Sequence, residues 1–333
     1  MSAMPQASLT ENSALARKAM LGLALANLGW GWSFVAMKLC PGHILELAPN
    51  ARELSVMALF VVWRFLLAAL CYAALTFPHQ KNYTRGELLG GLSTGAFFVT
   101  GLLAQMSGLR YTLPSISGFL TALVVLFLPI TQAFILRRPP PLRTWPAVAL
   151  ALAGVVVLSL PQEAGEAQHG PFPYFGEVLS IAGSLCFTGQ VLCLDHFGKT
   201  AHASRLTFIQ FVTTALLALV LFTVLPGGSE LRQSDTVQAL VSNRLILWYV
   251  ASTALFSTVF AYHLMSVNQP KLTPATAGVI YCLEPLCATG YSILLGLEDL
   301  RGSLVCGGVL VLAGILIVVR GQDRAPESPV STG

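Results

Sequence analysis

The sequence of 333 residues predicts an all-α integral membrane protein: ten transmembrane helices arranged as two inverted five-helix repeats. Three observations predict this: apolar runs of span length, basic residues gathered in short loops, and landmarks that recur about 160 positions apart. Hydrophobic residues make up 55% of the chain and charged residues only 10%, and mean hydropathy is +0.71. A water-soluble domain carries roughly 25% charged residues, so this surface is made for lipid.

Crossing about 30 Å of hydrocarbon takes roughly 20 helical residues. Ten windows qualify: 19–38, 56–77, 87–108, 113–136, 144–160, 175–194, 206–225, 245–266, 274–296 and 302–320. A membrane β-barrel would alternate apolar and polar residues, whereas VCGGVLVLAGILIVV (305–319) is apolar without a break. The first window follows Arg17 and Lys18 as a signal peptide would, but its apolar stretch is too long and contains Trp30 and Trp32. It reads as an uncleaved first span.

Orientation follows from Lys and Arg. With the N-terminus inside, the cytoplasmic loops hold Arg17, Lys18, Lys81, Arg85, Arg137, Arg138, Arg143, Lys199, Arg205, Lys271, Arg320 and Arg324. The outer set, Lys38, Arg52, Arg110, Arg232, Arg244 and Arg301, is half that size. Both termini are thus expected in the cytoplasm of a multi-pass protein of the cell (inner) membrane. Residues 1–18 form a cytoplasmic segment, 161–174 an outer linker around Glu163 and Glu166, and 321–333 a polar, disordered tail. CPGHILELAPNARELS (40–55) reads as a long outer loop.

Shifted by 160 positions, Pro114 falls on Pro274, Gly118 on Gly278, and Ala153-Gly154 on Ala313-Gly314. LGWGWSFV (28–35) likewise resembles SLCFTGQV (184–191). Residues 19–160 and 175–320 therefore look like two copies of one unit. Five spans is an odd number, so the second copy enters the membrane from the opposite face, a frequent design in secondary transporters.

Within GVIYCLEPLCATGYSILLG (278–296), an acid and a helix breaker stand side by side, Glu284 and Pro285. Glu284 lies ten residues beyond Pro274, or roughly 15 Å along a helix, near the expected bilayer midplane. An ionised acid there costs about 2.5–3.5 kcal/mol, so it should face protein or a water-filled cavity. Pro285 lacks an N–H, and its ring displaces the carbonyl of Tyr281. Pro129 in span four is a comparable break without an acid. Glu284 has three candidate roles: carrying a coupling proton or cation, touching substrate, or holding helices together.

Arg64 lies a third of the way into span two, deep enough to line a cavity, although its stem is long enough to snorkel. Asn27, Gly31, Phe34 and Lys38 share one face of span one, with Lys38 at its outer end. Trp30 sits inside its span, away from the interfacial belt, and is a candidate stacking surface. Tyr281 precedes Glu284 by three residues and shares its face. Gln190 and Gln105 are candidates for either substrate contact or interhelical hydrogen bonds. Tyr262-His263 reads as structural. The glycines Gly86, Gly90, Gly91 and Gly95 favour close helix packing.

Several function classes find no support. There is no basic face for nucleic acid and no GxxxxGK[ST] segment for ATP. No HExxH or GxSxG motif marks an enzyme. The seven cysteines are scattered, so neither a metal site nor any other cofactor is expected.

WGWSFVAMK (30–38), WRFLLAAL (63–70), SGLRYTLPSISGFLTAL (107–123), LEPLCA (283–288) and LGLEDLRGSLVCGGVLVLAGI (295–315) together resemble EamA-type transporters of the drug/metabolite transporter superfamily. The resemblance covers roughly residues 20–320 and rests on the order and spacing of these pieces. Leu297-Glu298 follows the family pattern, whereas Arg137-Arg138 and the prolines after it depart from it. The resemblance implies ten helices in two inverted repeats and secondary transport of a small molecule by export or exchange, with protons as a candidate coupling ion. A polytopic scaffold or receptor that moves nothing is the alternative.

Overall fold

The computed structural model describes residues 6–108, 111, 120–134, 137, 142, 144–158, 174–225, 228–296, 300 and 302–322, and every regular element among them is helical. Pro114, Gly118, Arg110, Arg138, Arg143, Leu297, Glu298, Arg301, Arg324, the linker residues 161–173 and the tail from 323 onward lie outside them.

The first half contains α1 (Gln6–Leu47), α2 (Glu53–Leu75), α3 (Arg85–Gly108), α4 (Val124–Phe134) and α5 (Thr144–Leu158). The second half opens with α6 (Phe175–Phe197) and α7 (Ala203–Val224), followed by the short loop helix α8 (Ser234–Ser242). Its next span joins α9 (Arg244–Ser252), a π-helical stretch (Thr253–Phe260) and α10 (Ala261–Asn268). A broken pair, α11 (Pro274–Tyr281) and α12 (Leu283–Leu294), and finally α13 (Gly302–Gln322) complete it. Seven of the described helical segments are long and apolar enough to cross a membrane, and Leu120–Thr131, Thr144–Val157 and Val305–Ile317 are shorter apolar helices.

One segment departs from its sequence reading. The stretch from Cys40 onward continues α1 as helix through Leu47, with Pro41 inside it, leaving only a short connection to α2. The helix continues because Cys40 and Ile44 are fully buried against the bundle, and burial of that face outweighs the bond that Pro41 forfeits. Lys38 therefore lies within the helix rather than at its end. Residues from Gln6 onward are helical and continuous with α1.

The packing repeats itself across the halves. Helix α3 packs along α6, and α1 packs correspondingly along the π stretch and α10. In the same way α3 with α7 is matched by α2 with the π stretch, and α1 with α12 by α4 with α6. Three pairs, α2 with α7, α4 with α11 and α5 with α13, are their own counterparts. Small residues allow the closest approaches. A Cβ on Gly154 would sit 2.7 Å from the Gly307 carbonyl oxygen and from Val311 N, and one on Gly314 would sit 2.9 Å from the Ala147 carbonyl oxygen and 3.1 Å from Ala151 N. Each of these three pairings, Gly154 with Gly314, Ala147 with Gly307 and Ala151 with Val311, has the same 160-residue spacing.

Gly90, Gly91 and Gly95 on α3 press against Phe197, Ile209 and Thr213 respectively, the close packing their spacing predicts. Gly86 meets only Thr84.

Candidate functional site

The two proline-bearing spans break at related places. In the second half the helix halts at Cys282, whose N–H turns back to the Val279 carbonyl at 3.3 Å, and resumes at Leu283. This is the neighbourhood that Pro285 disrupts by displacing the Tyr281 carbonyl. In the first half the turn falls at Leu123, one residue from the 160-residue offset, although Pro129 stands further along its helix. Glu284 thereby enters the first turn of α12, where aligned peptide dipoles favour a carboxylate.

Beside this break lies a cavity of about 110 Å³. Its wall includes Trp30, Ser33, Phe34 and Met37 from α1, Arg64 from α2, and Gln105 from α3. The second half adds Gln190, Tyr262, Tyr281, Glu284 and Pro285. Trp30 is flanked by Tyr262 and Tyr281, with ring centroids 5.5 and 5.4 Å away.

Arg64 is 2% exposed. Its Nε donates to Thr258 Oγ1 and its Nη1 to Ser33 Oγ, both at 2.7 Å, and the guanidinium carbon lies 5.3 Å from the Phe65 ring centroid. All of these partners are neutral. A cation at this depth costs several kcal/mol without a counter-charge, so these groups offset only part of the penalty. Glu284 is half-buried on the same wall and, among the described residues, forms no ion pair with Arg64. Tyr262 lines the same wall as both.

Tyr281 donates to Gln269 Oε1 at 2.6 Å, and Gln269 in turn donates to the Val191 carbonyl at 2.8 Å. Gln105 donates to Thr121 Oγ1 at 3.0 Å, the interhelical alternative for that residue. Gln190 Nε2 and Trp30 Nε1 have no hydrogen-bond partner among the described residues.

Of the residues singled out from sequence, the structure brings together Glu284, Pro285, Arg64, Trp30, Phe34, Tyr281, Gln105 and Gln190. It does not bring the others. Lys38 is exposed and off the wall, although its neighbour Met37 is on it. Asn27 is fully buried and donates to the Leu23 carbonyl one turn back at 2.7 Å. Pro129 is buried but absent from the wall. Sequence reasoning missed Ser33, Thr258 and the cavity role of Tyr262. Ser33 follows Trp30 at helical spacing and Tyr262 follows Thr258 by four, so a face-by-face reading was the available signal.

Fold and site together define a multi-pass helical membrane protein with a largely apolar cavity, bearing a few charged and polar groups, between two similar halves. The sequence model of the EamA-like transporter family matches it twice, over residues 17–160 and 174–320. The chain belongs to that family, a branch of the drug/metabolite transporter superfamily. An Archaeoglobus fulgidus protein named as an uncharacterized transporter is 25% identical over 298 residues, spanning 90% of this chain and 84% of its own length. The uncharacterized transporter YetK of Bacillus subtilis is 28% identical over 277 residues, spanning 80% of each chain. A solved crystal structure shares the fold at a TM-score of 0.68 and 17% identity, over 92% of this chain and 98% of that one.

Proposed function

We propose that this protein is a secondary transporter, not driven by ATP, that moves small metabolites or drugs by alternating access. On this reading its ten spans form two inverted halves, 19–160 and 175–320, in the cell membrane with both termini cytoplasmic. Substrate occupies the cavity between the halves, and rocking of one half against the other exposes it to each face in turn. Transport is export or exchange, and Glu284 is the candidate proton carrier. The observation that carries the reading is the pair of opposite ionisable groups, Arg64 and Glu284, on one aromatic-walled cavity without an ion pair between them. The two matches of the family model and the paired helix packing also support it.

The test is flux of radiolabelled small molecules in proteoliposomes. Saturable flux is expected for at least one compound and should be lost in Arg64→Ala. Glu284→Gln should abolish the response to an imposed pH gradient; undiminished gradient dependence ends the proton-carrier role. A protein that binds compounds yet moves none would be a receptor or scaffold instead.

A further inference from the structure

Arg64 is a buried cation whose surroundings hold it still without neutralising it. A guanidinium has five N–H donors in a planar fork. Two are engaged, by Thr258 Oγ1 and Ser33 Oγ at 2.7 Å each. Thr258 Oγ1 spends its own proton on the Thr253 carbonyl at 2.9 Å, inside the π-helical stretch, so toward Arg64 it acts only as an acceptor. The π winding lets that hydroxyl bond back five residues rather than four. Among the described residues, Nη2 has no hydrogen bond and no carboxylate lies within ion-pairing distance, yet Arg64 lines the cavity. One edge of the fork therefore faces the cavity with donors to spare.

We infer that Ser33 and Thr258 are positioning residues that lock this fork, and that its free edge docks the carboxylate of a small organic monoanion. A planar carboxylate matches two parallel N–H donors of a guanidinium. The rest of the ligand meets an apolar, largely aromatic surface at Trp30, Phe98, Phe187 and Tyr262. A volume of about 110 Å³ limits the ligand to a small one. Glu284 on the same wall would oppose a second negative charge on the ligand. The inference rests on the transporter reading for its consequence, since the docked carboxylate would be cargo, but docking itself is measurable without flux.

The experiment uses the purified full-length protein in detergent micelles at neutral pH, titrated calorimetrically with benzoate, benzyl alcohol and benzylamine, which share a ring and differ in charge. Benzoate is expected to bind at least about tenfold more tightly than either of the others, the weight of one charge-assisted hydrogen bond or more. Ser33→Ala and Thr258→Val should each weaken benzoate about tenfold while leaving benzyl alcohol unchanged, and Thr258→Ser should restore it. Ser33→Ala carries the test if Thr258→Val does not fold. Benzoate binding no tighter than the alcohol overturns the inference, as does tightest binding of the amine. Equal loss of benzoate and alcohol in Ser33→Ala also overturns it, because that is what a merely structural role would give. If benzoate binds as expected and no proteoliposome flux is found for any compound, the docking site stands and the transporter reading falls.

Discussion

Replacing Glu87 should uncouple the two halves at one end of the bundle, and the structure allows the cost to be worked out. Thr84-Arg85-Gly86-Glu87 opens α3 with a capping box: Thr84 Oγ1 accepts from Glu87 N at 3.2 Å, and Glu87 Oε2 accepts from Thr84 N at 2.7 Å. The same carboxylate reaches into the second half, where Oε1 accepts the His202 N–H that starts α7 at 3.0 Å and pairs with Arg205 Nη1 at 3.2 Å. Losing the box costs about 0.5–2 kcal/mol. Losing the hydrogen bond that the His202 N–H donates to this buried carboxylate costs about 1.5–3 kcal/mol in principle, reduced here because His202 is exposed and water can replace the acceptor. The ion pair adds little, about 0.2–1 kcal/mol, because Arg205 is partly exposed and keeps its bond to the His79 carbonyl at 2.7 Å. Glu87→Ala should therefore destabilise the protein by about 2–4 kcal/mol, and Arg205→Ala by clearly less. An unfolding titration in mixed micelles measures both. If Glu87→Ala loses under about 1 kcal/mol, or no more than Arg205→Ala, the carboxylate is not the joint described here.

Three other outcomes follow from the packing and the loops. Gly154→Val should destabilise the protein by at least about 1–3 kcal/mol, because the added carbon meets α13 backbone that has no room to yield. Gly290→Ala meets nothing within 4 Å and should be neutral or stabilising in the same titration. Partial desolvation, with His79 and Arg205 beside it, holds the His202 imidazole below the ordinary histidine value of 6.5. The unfolded chain then takes up a proton before the folded one. The His202 contribution is complete above that value and falls away as pH drops below it. His202→Gln keeps the backbone N–H and should flatten this acid-side loss; an unchanged pH profile of stability would assign the loss elsewhere.

Helical class and repeat were legible because both are written in residue type and spacing. Apolar runs are long, and Gly154 and Gly314 mark the same contact from opposite sides. The π-helical stretch was not legible, since TALFSTVF carries no breaker and its winding depends on which acceptor Thr258 finds. Nor was the helical course of residues 40–47, where a local signal at Pro41 loses to burial of Ile44. At the site, Glu284 and Arg64 stood out because charge is rare in such windows. Lys38 stood out for the same reason and lies elsewhere, because its rarity says nothing about which way its face of α1 turns. Ser33 and Thr258 were invisible by composition: hydroxyls are ordinary in apolar helices, and only the third dimension shows a guanidinium between them.

The distribution of charge across the repeat bears on how such a cavity would work. Arg64 belongs to the first half and Glu284 to the second, while the break at Leu123 carries no acid and the one at Cys282 does. Geometry is duplicated and chemistry is not. If the halves rock against one another, the separation of these two groups changes with every cycle, and a ligand contacting both binds the two end states unequally. Only such a difference in binding free energy shifts a conformational equilibrium. Placing both charges on one half would leave their spacing fixed and remove that lever, so moving the acid into the first half, by Val124→Glu on the cavity wall with Glu284→Gln, should preserve binding more than flux. Equal loss of binding and flux in that double variant would mean that the division of charge between the halves serves docking alone.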